Sequence, residues 1–197
     1  GISFGSEVVF ETGGFVVPRI VFDSNSNKVV IVYGISSNVG KAIVGTVSGT
    51  AVSYGTSVIF DSGANSSAHA LAAAFDSTQN KVVVSYRAGT DGDKGKSVVG
   101  TVSGTSISFG SVASYIDTGN SNYGTNIVGT VSGTSISFDD KSVFESAEPE
   151  YISATFDSNS NKVVTAYQDK GGSNHGTSSV YTVGSTNLTS ENFIGIA

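Results

Sequence analysis

Phe22-Asp-Ser-Asn-Ser-Asn-Lys-Val-Val30 returns as FDSTQNKVVV from Phe75 and as FDSNSNKVV from Phe156. In each copy an apolar run ends at Phe-Asp, four small polar residues turn the chain, and a β-branched run carries it back. That is the pattern of a β-hairpin. The copies also set a period. Phe22 and Phe75 stand 53 residues apart, room for four short strands and three turns, as in a β-propeller blade.

Working outward from the first hairpin, strands are expected at Phe15 to Asp23, Lys28 to Tyr33, Lys41 to Gly49 (KAIVGTVSG) and Ala51 to Phe60 (AVSYGTSVIF), which makes a repeat over 15–60. A second repeat covers 68–116. The third, 117–146, is truncated: GTVSGT recurs at Gly100 and again at Gly129, with no hairpin between the two. A fourth runs over 151–185 with YISATFD, KVVTAYQD and TSSVYTVGS. GISFGSEVVF, residues 1–10, matches TSISFGS at Thr105 and TSISFDDKSVF at Thr134, so it reads as an orphan strand from the end of a repeat. Residues 1–185 are therefore expected to form one repeat domain, and 186–197 a C-terminal tail or the start of a further module. The fold class is all-β: antiparallel four-stranded repeats, about fifteen strands in all, arranged as a β-propeller or as stacked sheets in a sandwich.

KVVIVY, KVVVSY and KVVTAY are apolar at consecutive rather than alternate positions, which predicts strands buried on both faces. Gly45, Gly100 and Gly129 lie inside the VGTVSG strands, where a missing side chain is expected to let a neighbouring sheet approach.

Composition narrows the function classes. Charged residues are 13% of the chain, about half the usual share. The net charge of −6 comes with no basic cluster, which removes the electrostatic basis for nucleic-acid binding. Cys is absent, excluding disulfides, a thiolate nucleophile and Cys-ligated metal. The hydroxyl-rich, thiol-free surface fits an extracellular, cell-surface or virion-surface protein. No apolar run has membrane-spanning length, so membrane insertion is not expected, and Gly1 reads as the start of a mature or excised fragment.

Candidate sites are few. DSNSN has the Asp-x-Asn-x-Asn spacing of calcium-loop oxygens, on Asp23, Asn25 and Asn27 and again on Asp157, Asn159 and Asn161. Lys follows where a calcium loop has Gly, and the second copy places Thr78 at the middle position, so a plain hairpin turn is the favoured reading and no cofactor is expected. Tyr33, Tyr86 and Tyr167 close equivalent strands and are expected to bury their rings while the hydroxyls stay wet. Tyr123 and His175, in SNYGT and SNHGT beside Asn122 and Asn174, are candidates for stacking on and hydrogen bonding to a sugar. His69 and His175 have no nucleophile elbow to pair with. Glu145, Glu148 and Glu150 flank Pro149 and read as a solvated loop rather than a glycosidase pair. No catalytic signature emerges, and the chain is expected not to be an enzyme.

The words FDSNSNKVV, SNYGT, VGTVSGTSISFGS and LTSENFIGIA resemble a tandem-repeat group found in bacterial surface proteins and phage tail-associated proteins. The resemblance covers nearly the whole chain. It implies propeller-like blades and carries over no catalytic motif; LTSENFIGIA looks like the start of a further module in that group. Two functions are then expected. The first is a non-enzymatic structural or adhesive protein of an extracellular filament, cell surface or phage appendage. It would form homo-oligomers or filaments by donating the N-terminal strand through Ile2, Phe4, Val8 and Phe10, since an unpaired edge is a template for strand addition. The alternative is a monomeric, lectin-like β-propeller that binds surface glycans.

Overall fold

The structure, a computed structural model, describes residues 1–35, 39–62, 71–88, 94–115, 123–157 and 159–182. Among these residues there is no helix, and the antiparallel sheets stay separate rather than closing into a ring.

The first sheet is a meander of β1 (Phe15–Asp23), β2 (Lys28–Ile35) and β3 (Val39–Ser48). The outer edge of β3 is covered by two short strands in succession, β4 (Ala51–Tyr54) and β5 (Val58–Asp61). These are two halves of one expected strand, broken at Gly55 to Ser57. The Gly55 N–H still donates to the Val44 carbonyl at 2.9 Å. The second sheet follows the same order: β6 (Leu71–Asp76), β7 (Lys81–Ala88), β8 (Lys94–Ser103), then β9 (Ser106–Phe109) and β10 (Ala113–Tyr115), both on β8.

Downstream the sheets shrink. β11 (Gly124–Asn126) pairs with β14 (Ser142–Glu145), and β12 (Gly129–Ser132) pairs with β13 (Ser135–Phe138). These occupy the stretch where the sequence has lost its first hairpin. β15 (Pro149–Asp157), β16 (Lys162–Asp169) and β17 (His175–Tyr181) form the last sheet.

Local chemistry explains the turns. Asp23 Oδ1 accepts from the N–H groups of Asn25 and Ser26, both at 3.0 Å, and Asn27 closes the loop at φ 55°. Asp76 with Asn80 and Asp157 with Asn161 repeat the arrangement. Aspartate bonds its own turn and asparagine tolerates the left-handed conformation, so this loop specifies the hairpin register. The β3–β4, β8–β9 and β12–β13 hairpins use another device. Gly49, Gly104 and Gly133 sit at φ 60–61° as first central residue of a two-residue turn, where a Cβ is disfavoured.

The first two sheets share one core, built from Val30, Val32, Ala42, Val44 and Phe60 on one side and Phe75, Val82, Val84, Tyr86 and Val98 on the other. β2 is buried on its second face as well, where Ile31, Tyr33 and Ile43 meet Phe10 and Tyr54. The expectation of strands with two buried faces holds for β2 and β7, and is weaker in β16, where Val164 and Ala166 are less buried.

Two expectations need correction. Residues 1–10 form no strand, because among the described residues no third strand lies beside them to supply hydrogen bonds. Gly45, Gly100 and Gly129 do not admit a neighbouring sheet. Each makes room within its own sheet for the aromatic ring paired across from it, respectively Tyr54, Phe109 and Phe138, together with one aliphatic side chain. The glycines that let sheets approach lie at the strand breaks. A Cβ on Gly55 would stand 1.9 Å from the Thr105 carbonyl oxygen, and one on Gly110 1.9 Å from that of Thr134.

Gly55→Ala and Gly110→Ala must therefore push backbone from backbone, and each is expected to cost about 1–3 kcal/mol in urea unfolding. Gly176→Ala, which meets nothing within 4 Å, is expected to stay within about 0.5 kcal/mol of the parent protein.

Candidate functional site

The conspicuous side-chain chemistry lies where successive elements meet. A Phe-acid dipeptide at the end of one segment docks on a tyrosine in the second strand of the next sheet. Phe10 packs edge-on against Tyr33 with ring centroids 5.3 Å apart, while Phe60 against Tyr86 and Phe144 against Tyr167 form tilted pairs, both at 5.2 Å. The acid that follows each phenylalanine faces the hydroxyl of the same tyrosine. Tyr33 donates to Glu11 Oε2 at 3.2 Å, and Tyr167 donates to Glu145 Oε2 at 3.0 Å. At the second junction the Tyr86 hydroxyl is buried, and the Asp61 carboxylate is near enough to add to burial in raising its pKa.

A lysine from the third strand completes two of these junctions. Lys41, paired across from Tyr33, bonds Glu11 at 2.8 Å; Lys96, paired across from Tyr86, stands 3.6 Å from Asp61. Thr177 holds the equivalent position opposite Tyr167.

The electrostatics follow from this packing. The Lys41 bond, the Gly13 N–H and the Tyr33 hydroxyl hold the Glu11 carboxyl down at about 2, against desolvation. Burial pushes Tyr33 up to about 12; the Ser57 hydroxyl opposes that shift and the Glu11 carboxylate reinforces it. Burial is also the first cause of the raised values at Tyr86 and Tyr167, with Asp61 and Glu145 adding to it. A tyrosine held protonated beside a carboxylate is a hydrogen-bond donor fixed in place. These clusters join elements together.

The sequence-derived candidates are placed as follows. Asp23, Asn25 and Asn27, like Asp157, Asn159 and Asn161, shape turns, with one carboxylate oxygen of each aspartate committed to two backbone N–H groups. No group of three or more His, Cys, Asp or Glu side chains that could hold a metal ion occurs among the described residues. Tyr123 is 38% exposed just before β11, and His175 is exposed at the start of β17. The two share a local geometry: Thr125 Oγ1 donates to the Tyr123 carbonyl at 3.2 Å, and Thr177 Oγ1 to that of His175 at 3.4 Å. Asn174 is exposed at φ 62°, while Asn122 and His69 lie outside the described residues. Ile2 and Phe4 are 88% and 91% exposed and Val8 is 44% exposed, whereas Phe10 is committed to Tyr33 and Tyr54.

Two readings change. The strand tyrosines do bury their rings, but Tyr33 and Tyr167 give their hydroxyls to carboxylates rather than to water. Glu145 belongs to a junction and not to a solvated loop; only Glu148 and Glu150 face outward, where Lys170 meets them at 3.8 and 2.6 Å. Glu11, Asp61, Lys41 and Lys96 escaped sequence reasoning. The signal was present as an acid directly after Phe10, Phe60 and Phe144.

Because the Glu11 carboxyl has a lower pKa in the docked state than its ordinary 4.5, its contribution is complete above about pH 4.5 and fades as pH falls towards 2. Stability in urea unfolding is therefore expected to fall over that window, and Glu11→Gln should remove this part of the pH dependence. Tyr33→Phe is expected to cost about 1.5 kcal/mol in urea unfolding, the low end for a bond to a charged acceptor, since Lys41 still holds Glu11. No family model, curated protein or solved structure matches this chain.

Proposed function

We propose that this is a non-enzymatic structural or adhesive repeat protein of an extracellular filament, cell surface or phage appendage, which assembles with copies of itself through its N-terminal strand. In this reading the sheets are variants of one four-stranded, propeller-like unit with the period of the Phe22 and Phe75 hairpins. The observation that carries it is the docking of residues 1–11. Gly5 lies against the Thr50 carbonyl as Gly55 lies against that of Thr105, and Phe10-Glu11 clasps Tyr33 as Phe60-Asp61 clasps Tyr86. The segment thus sits on the first sheet like the last strand of a preceding unit, with Ile2 and Phe4 exposed and no strand beside it among the described residues. A segment held on one face with no strand beside it among the described residues is a template for strand addition.

Light scattering and electron microscopy of the purified chain test this. Concentration-dependent oligomers or filaments are expected, and deletion of residues 1–10 should leave monomers. A monomeric parent protein, or assembly unchanged by the deletion, would sink the reading.

The matched geometry of exposed Tyr123 and His175 favours a second reading, glycan binding at those two rings. Tyr123→Ala and His175→Ala should each weaken binding on a glycan array about tenfold, the loss of one stacked ring at roughly 1.4 kcal/mol. Absence of any bound glycan, or binding indifferent to both changes, removes it.

A further inference from the structure

Burial follows the repeat except at its two ends. Phe22, Phe75 and Phe156 open the same hairpin, and each pairs with a valine of the next strand, Val29, Val82 and Val163 respectively. Phe75 and Phe156 are 4% and 7% exposed, but Phe22 is 53% exposed and Ile20, two residues before it on the same face, 66%. The sequence words are alike, so the difference lies in what packs on them. Phe75, Val82 and Val84 share a core with Val30, Val32, Ala42 and Val44, which come from the face of the first sheet opposite to Phe22. On the Phe22 face itself, Phe10 and Tyr54 cover Ile31, Tyr33 and Ile43, while Ile20 and Phe22 stay bare.

The last sheet is bare on the other side. Val164 pairs with Val180 and Ala166 with Ser178, as Val30 pairs with Val44 and Val32 with Ala42. Tyr151 holds the place of Val17, at the same irregularity of register and with the same left-handed backbone. In the first sheet this face is core: Val30, Val32, Ala42 and Val44 have no exposed surface, and Val17 packs against them. In the last sheet Tyr151 is 75% and Val180 62% exposed, and Ala166 and Ser178 are exposed with them. A serine is no obstacle to burial at this place. Ser97, the counterpart of Ser178 in the second sheet, is buried and shares a 2.6 Å hydrogen bond with Ser85.

Resting on the assembly reading above, we infer that the Phe22 face of one copy takes the Tyr151 and Ala166 face of a second copy, sheet against sheet. The occupant follows from the contact already built into the chain. On the second sheet, Phe60 packs on Tyr86 while the strands of the first sheet cover Phe75. On the first sheet, Phe10 packs on Tyr33 in the same way, and the strands that belong beside it are missing. The last sheet carries the surface such strands present, and within one chain the two faces do not meet, since Ile20, Phe22 and Tyr151 are all exposed. In the assembly β15 of the second copy lies on β1, as β1 lies on β6 inside the chain. Burying both faces removes exposed apolar surface from each copy. The two surfaces are unlike, so the contact runs head to tail and propagates.

A charge placed on either face tests the contact, read by sedimentation of the full chain. Phe22→Glu blocks the first face and Ala166→Glu the second, and each variant alone is expected to sediment as a monomer. Mixed in equal amounts, they should form a dimer and nothing longer, because each keeps the face the other has lost. All the positions are exposed, so circular dichroism should match that of the parent protein, and Ile20→Glu with Tyr151→Glu repeats the experiment at a second place on each face. A mixture that stays monomeric overturns the inference, as does a dimer formed by Ala166→Glu alone, which means that two Phe22 faces pack on each other. If deletion of residues 1–10 abolishes assembly while Phe22→Glu and Ala166→Glu assemble like the parent, the sheet contact is wrong and strand donation stands. A monomeric parent protein removes both.

Discussion

Joining one sheet to the next depends on a tyrosine hydroxyl that must be satisfied where water does not reach. Tyr33 and Tyr86 have no exposed surface, and a buried phenol without an acceptor carries a penalty of about 1–3 kcal/mol. The acceptor comes from the segment before, with a phenylalanine attached, so one dipeptide supplies both the apolar contact and the polar partner. Lysine then makes the carboxylate tolerable in a half-buried place. All three junctions thus fix adjoining elements in distance through the rings, and those at Tyr33 and Tyr167 also fix register through the directional bond.

A second constraint works at backbone level. Gly55 and Gly110 interrupt the outer strand at the point of closest approach to the next hairpin turn. The interruption turns one long edge into two short strands with different pairing, and it places Phe60 within reach of both Tyr86 and Phe109. Asp139, whose N–H donates to the Val128 carbonyl as those of Gly55 and Gly110 donate to Val44 and Val99, lines a cavity of about 560 Å³ beside β17. Strain adds to the picture at β1 and β15, where Val17 and Tyr151 hold φ of 48° and 54° at matching irregularities in strand register.

The sequence made the strands and turns legible because their causes are local. Asp23 and Asn27 are turn chemistry, β-branched runs are strand chemistry, and both recur, so β1 was readable to the residue. The junctions were harder to see. Nothing in a single stretch says that Glu11 will meet Tyr33 and Lys41, which lie 22 and 30 residues further on, and Glu145 was hidden among acids around Pro149. The glycines misled for a related reason. A missing side chain is visible in a sequence, but whether a ring from the same sheet or a backbone from another fills the space is decided in three dimensions. The candidate rings at Tyr123 and His175 were legible as exposed, and their shared threonine bond was not.

The meander order has a consequence for how the chain acquires its shape. In the first two sheets nearly every strand pairs with its neighbour in sequence, so each sheet closes only short loops, whose entropic cost is small. A chain emerging from a ribosome can complete β1 to β5 before β6 has been synthesised. The tyrosine clasps then act between preformed pieces. Folding of this protein is accordingly expected to advance piecewise from the N-terminal side, with the segment of residues 1–11 settled as soon as Tyr33 and Lys41 are in place.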